Sequence, residues 1–176
     1  MPLERKSIVP NDVIESILKP VVLANLGKRK QVTGSKDRGT QAVVINGEIV
    51  HIISDRYKTF FTKGFTCVNC GIIGTRWALE RHVSHNGKID PNNNPDGRYH
   101  LNLYAIKDGK EILMTKDHIV PVSLGGKNYI DNYQPMCTIC NQKKGNNNAT
   151  SKTQPSPIWN SGSKYYTVSY ACIGEI

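Results

Sequence analysis

Apolar residues in 11–26, NDVIESILKPVVLANL, fall at positions 13, 14, 17 and 18. That spacing places them on one face of a helix, with Asn11 or Asp12 as its cap. Pro20 is expected to break or kink this helix, because its ring crowds the preceding turn and it lacks an N–H. The following GKRKQVTGSKDRGT is basic and glycine-containing and reads as a loop that includes Lys28–Arg38. QAVVINGEIVHII then sets two β-branched runs around Asn46-Gly47. This predicts a hairpin, since Asn-Gly suits the two-residue type I′ turn, which needs positive φ at both central positions. SDRYKTFFTKG suggests a helical turn, and TRWALERHV reads as a short helix.

The second half changes period. Asn86–Arg98, NGKIDPNNNPDGR, is a loop by every breaker rule. YHLNLYAIKDGKEILMTKDHI predicts two strands around Asp108-Gly109, the second ending at Asp117-His118. VSLGGKNYI is a loop, DNYQPMC a short extended piece, and CTICNQKKG opens a helix. The tail NNNATSKTQPSPIWNSGSK is polar and poorly foldable, although YYTVSYACI could add a strand. No internal repeat is visible.

Charge narrows the class of partner. The 176 residues carry 23 Lys and Arg against 14 Asp and Glu, a formal net charge of +9. A chain this basic fits a polyanionic partner, most simply nucleic acid, against the blander alternative of a solubilising surface. No apolar run approaches the roughly 20 residues of a membrane span. The N-terminal MPLERKSIVPND has no apolar core of a signal peptide, so an intracellular location is expected.

Disulfides are rare inside cells, so five cysteines need another account. Cys67 and Cys70 form CVNC, and Cys137 and Cys140 form CTIC, 67 positions further on. Two C-x2-C knuckles predict one tetrahedral four-cysteine zinc site that ties distant parts of the chain together. A rival set would join Cys67 and Cys70 to His82 and His85, but their H-x2-H spacing is tight for a zinc finger and strands the second knuckle. Cys172 is left over as a buried or free thiol.

The order DHIVP, GG, DN, C-x2-C, then a polar residue and a lysine resembles the HNH nucleases, which have a ββα-metal fold. The matching residues are Asp117 to Pro121, Gly125-Gly126, Asp131-Asn132, Cys137, Cys140, Asn141 and Lys144. The likeness covers about residues 65–147 and points to the zinc-braced subtype that phages often encode. It departs from the family name at its last letter, where Asn141 stands in place of a second histidine. It implies an α+β fold with a small ββα core in residues 61–147 braced by the cysteine site; outside the likeness, the residue pattern gives a helix and hairpin extension in 1–60, a candidate DNA contact, and a polar tail with a possible strand in 148–176.

The resemblance also implies roles. His118 would be the general base and Asn132 would hold the loop opposite it and keep its ring oriented. Asp117 and Asn141 would give oxygen ligands to one divalent cation, Mg²⁺ or Mn²⁺, and the products would carry 5′-phosphates. Elementary chemistry supports the assignment. A hard cation can neutralise a crowded phosphate and its leaving oxygen, and a neutral imidazole is available near pH 7 to take a proton. Taken singly, each residue is ordinary: a structural histidine, a turn asparagine, a helix-surface amide, a capping aspartate. Lys127, Lys143, Lys144, Arg76 and Arg81 are candidate contacts to double-stranded DNA, each equally readable as a solvated charge. The expected activity is a metal-dependent DNA endonuclease; the alternatives are a non-catalytic zinc module that binds nucleic acid and a scaffold protein.

Overall fold

A computed structural model describes residues 2–26, 42–52, 54–89, 94 and 96–145. The basic segment Lys28–Arg38, part of the Asn86–Arg98 loop, the tail from 146 onward and Cys172 lie outside these residues. Among the described residues the order is β1 (Leu3–Val9), α1 (Asn11–Leu23), β2 (Ala42–Ile45), β3 (Glu48–His51), α2 (Asp55–Lys63), β4 (Gly74–His82), β5 (His100–Lys107), β6 (Lys110–His118), β7 (Tyr133–Cys137) and α3 (Thr138–Lys144). Five strands form one antiparallel sheet in the order β1-β4-β5-β6-β7, and β2 and β3 form a separate hairpin. The fold is α+β, as the resemblance implies.

Both anticipated hairpin turns form. Asn46 and Gly47 have φ of 49° and 80°, and Asp108 and Gly109 have 50° and 72°. Asparagine, aspartate and glycine tolerate this left-handed region, and the resulting twist suits the flanking antiparallel strands. The second turn sets the register Lys107↔Lys110 through Tyr104↔Leu113 and so aims β6 towards the site.

Residues 74–82 depart from the helix read in TRWALERHV. They form β4, paired with β1 on one side and β5 on the other. Trp77, Ala78, Leu79 and Glu80 are all buried. A one-sided amphipathic helix would leave part of this run in water, whereas a central strand buries both faces. Trp77 packs among Tyr57, Phe60, Phe61 and Phe65 from α2 and the segment after it, with the Phe61 ring stacked at 6.1 Å. The rest of the core joins Ile14, Leu18 and Val22 of α1 to Leu101, Leu103 and Met114 of the sheet.

The cap of α1 also differs from expectation, and of the two outcomes foreseen at Pro20 the break does not occur. Pro10, not Asn11 or Asp12, occupies the N-cap position, and no side chain caps the helix. The helix continues through Pro20 to Leu23. Ile14, Leu18 and Val22 are spaced by four and all buried, so packing of the last turn offsets the hydrogen bond that Pro20 cannot make. The turn expected after Ser54 is the nine-residue helix α2, capped by the Ser54 hydroxyl accepting from the Arg56 amide at 3.3 Å. Nothing in the periodicity of residues 1–10 foretold β1, which extends the sheet beside β4.

Candidate active site and metal centre

The first knuckle is a tight turn. Gly71 N–H donates to the Cys67 carbonyl at 2.9 Å, Cys67 N–H donates to the Ile72 carbonyl at 2.9 Å, and Gly71 takes φ of 75°. Val68 N–H donates to the Pro135 carbonyl at 3.1 Å, which fastens the knuckle to β7. The second knuckle spans the junction of β7 and α3, with Cys137 at the N-cap position and Cys140 in the first turn.

These elements bring the four sulfurs within 4.8 Å of one another, without His82 or His85. Cys70 Sγ and Cys137 Sγ are 3.8 Å apart. Sulfurs about 2.3 Å from a common centre in a tetrahedron are separated by about 3.8 Å, so the quartet fits a metal such as zinc. Asn69 Nδ2 donates to Cys140 Sγ at 3.3 Å, a contact suited to a thiolate. Burial pushes the Cys137 thiol up to about 12, with the neighbouring Cys140 and Cys67 sulfurs acting in the same direction. Cys67 moves oppositely: burial raises it, but the backbone amides of Cys137, Cys70 and Asn69 outweigh burial and bring it to about 7. Four crowded thiols cannot ionise together without a cation to neutralise them. His82 instead ends β4, its ring stacked on His100 at 5.2 Å, and His85 is exposed.

The end of β6 carries the second cluster. The register places Asp117 opposite Gln134 and His118 opposite Tyr133. Successive strand residues point to opposite faces, so the pair divides. Asp117, 8% exposed, faces α3, and its Oδ2 accepts from Gln134 Nε2 at 2.8 Å and Lys144 Nζ at 2.5 Å. His118 lies edge-on to the Tyr133 ring at 4.9 Å, and its Nε2 meets Asn128 Oδ1 at 2.7 Å.

Asn132 is buried and sews the intervening loop together. Its Oδ1 accepts from Val120 N–H at 2.9 Å, while its Nδ2 donates to the carbonyls of Val120 at 3.1 Å and Lys127 at 3.0 Å. Its own carbonyl accepts from Ile119 N–H at 2.9 Å. The contacts to the His118 ring come from Asn128 and Tyr133, whereas Asn132 bonds the backbone of the loop that carries Asn128. The two glycines of this loop have different reasons. Gly125 has φ of +84°, whereas a Cβ on Gly126 would lie 1.8 Å from the Val120 carbonyl oxygen.

On α3, Asn141 and Lys144 are three residues apart and share the face towards β6. Asn141 Nδ2 donates to Thr115 Oγ1 at 3.2 Å, on the same strand face as Asp117. Lys144 turns inward: its side chain is 8% exposed, and its ammonium also donates to the carbonyls of His118 and of Ile119, the latter at 3.5 Å. A carboxylate and carbonyl oxygens therefore already surround a positive centre, a donor set whose chemistry suits a hard cation. Lys127 and Lys143 are exposed beside the loop and α3. Arg76 pairs with Glu111 at 3.1 Å, and Arg81 pairs with Glu4 at 3.0 Å.

Asn128, Tyr133 and Gln134 hold the two key side chains but escaped the sequence reading. Once β7 is aligned against β6, Tyr133 and Gln134 follow as the partners of His118 and Asp117. Asn128 sits in a polar loop and gives no such signal.

Residues 106–153 match the family model for the HNH endonuclease. The match contains β6, the loop, β7 and α3, and leaves Cys67 and Cys70 outside it; the tertiary structure brings them to Cys137 and Cys140. No curated protein and no solved structure gives a match to the chain.

Proposed function

We propose that this chain, of the HNH endonuclease family through residues 106–153, is a metal-dependent nuclease that cuts phosphodiester bonds of double-stranded DNA. The observation that carries this is the division of Asp117 and His118: a buried carboxylate facing the helix, and an imidazole fixed by a carbonyl on the other side.

His118 is the general base. Asn128 presents its carbonyl oxygen to Nε2, so Nε2 carries the hydrogen and Nδ1 keeps the lone pair that accepts a proton from water. Tyr133 restricts the ring from its edge, and Asn132 holds the loop that supplies Asn128. A base placed this way contributes roughly 10²–10⁴-fold. Asp117 and Asn141 would hold the catalytic cation, Mg²⁺ or Mn²⁺. When bound, that cation supplies positive charge to the phosphate and to the leaving 3′-oxygen, so that the products end in 5′-phosphates.

Zinc on Cys67, Cys70, Cys137 and Cys140 is structural. Held there, it would brace the base of α3, and with it Asn141, against the segment leading into β4. Lys127 and Lys143 contact DNA phosphates, which accounts for part of the +9 charge. Plasmid nicking tests the reading: the protein should relax supercoiled DNA in Mg²⁺ or Mn²⁺, and EDTA or His118→Ala should stop it. A His118→Ala protein that cuts at the parental rate would leave the non-catalytic zinc module that binds nucleic acid as the better reading.

A further inference from the structure

Lys144 stands where a second positive charge is least expected. Its ammonium lies 2.5 Å from Asp117 Oδ2, and the two side chains are only 8% and 9% exposed. The carbonyls of His118 and Ile119 complete its acceptors. A Lys ammonium has three donors, and here three oxygens receive them. This is not a solvated surface pair. It is a closed arrangement in which the single negative charge of Asp117 is already neutralised.

A divalent cation arriving at Asp117 meets that ammonium a few ångströms away in a poorly hydrated setting, where like charges repel strongly. The carboxylate cannot neutralise both. Lys144 is at the last turn of α3, with Gly145 directly after it, and its four-carbon stem can carry the charge outward by rotation of its own bonds.

We infer that Lys144 is the resident counter-cation of Asp117 and that a divalent metal loads by exchange with it. The inference rests on the reading of Asp117 as a metal ligand. While docked, Lys144 gives a charged partner to a buried carboxylate that otherwise accepts only from the neutral Gln134 amide among its described side-chain hydrogen bonds, and so holds the β6–α3 junction in order without metal. The same docking holds down the metal affinity of the free protein. Lys144 thus sets the threshold for metal loading, a role distinct from contacting DNA.

The test uses the full-length zinc-loaded chain without DNA and measures Mn²⁺ binding by titration with electron paramagnetic resonance. Lys144→Met keeps the apolar stem and removes the charge. It should bind Mn²⁺ about tenfold more tightly or better, a difference of about 1.4 kcal/mol, and Asp117→Asn should abolish binding. Equal affinity in Lys144→Met and parent, with binding still lost in Asp117→Asn, overturns the exchange and leaves the metal reading standing. Absence of any Asp117-dependent binding overturns both. A second measurement needs no substitution at Lys144: amine labelling of the parent, followed at Lys144 by mass spectrometry. Saturating Mn²⁺ should speed its labelling several-fold; unchanged labelling under Asp117-dependent Mn²⁺ binding overturns the exchange.

Discussion

Cys70 Sγ and Cys137 Sγ lie 3.8 Å apart although 67 positions separate them in the chain. Such a contact between thiols of separate elements has little to recommend it unless a metal joins them. Structural zinc in comparable peptides contributes roughly 10–16 kcal/mol. Cys137→Ser is therefore expected to lose stability and nuclease activity together, and a strong chelator should unfold the parent. Circular dichroism with zinc quantification checks this; a folded, active, zinc-free protein would refute it.

Asn132 makes three side-chain hydrogen bonds to the loop backbone. Asn132→Ala leaves these partly buried groups unpaired, at a cost of roughly 1–3 kcal/mol. Asn128→Ala removes the partner of the His118 ring from an exposed loop position and should barely alter the melting temperature. Both variants are expected to cut slowly, and only Asn132→Ala to melt early. Urea denaturation alongside single-turnover cleavage separates the two effects.

Asn141 offers a neutral amide where a histidine would offer nitrogen. In the proposed reading it would join Asp117 in an oxygen donor set suited to Mg²⁺ or Mn²⁺, whereas imidazole favours Ni²⁺ or Co²⁺. Asn141→His should fold and shift its cleavage preference towards Ni²⁺ or Co²⁺; Asn141→Ala should lose most activity in every metal. Single-turnover rates across a metal series decide it, and parental Mg²⁺ activity in Asn141→Ala would remove Asn141 from the ligand set.

His100 links stability to pH. Burial, reinforced by the charges of Arg56 and His82, lowers its pKa to about 4 from the usual 6.5, against a smaller opposing effect of Glu80. The unfolded chain therefore takes up a proton at His100 before the folded chain does. Its contribution is fully present above pH 6.5 and is lost as pH falls towards 4. Glu111, held below its ordinary value by Arg5, adds a further loss at lower pH. Denaturation of His100→Gln should show a flatter pH dependence than the parent between pH 6.5 and 4; parallel curves would exclude His100 as the cause.

DNA binding is expected to weaken steeply with salt, since each neutralised duplex phosphate adds about 0.9 to the slope of log affinity against log salt. Lys127→Ala and Lys143→Ala should each lower that slope by about one. A gel-shift series over salt measures it, and a flat response would argue against a phosphate-tracking surface.

Much of this protein is written in short stretches. Asn46-Gly47 and Asp108-Gly109 specify their turns because the required φ values are local properties of those residues. The paired C-x2-C knuckles point to a four-cysteine cluster that could hold a metal because ligand spacing is itself local, and Asp117-His118 suggest a site because few structural roles need both at a strand end. Tertiary structure decided what depends on distant partners. Residues 74–82 have apolar spacing compatible with a helix, and became a strand because β1 and β5 bury both faces. Lys144 reads as a surface cation, but α3 docks on β6 so that the ammonium meets Asp117. The polar loop hides Asn128 until Asn132 fixes the backbone and sets it against His118. A local pattern specifies backbone conformation and ligand type, whereas the direction and partner of a side chain follow only from which elements pack together.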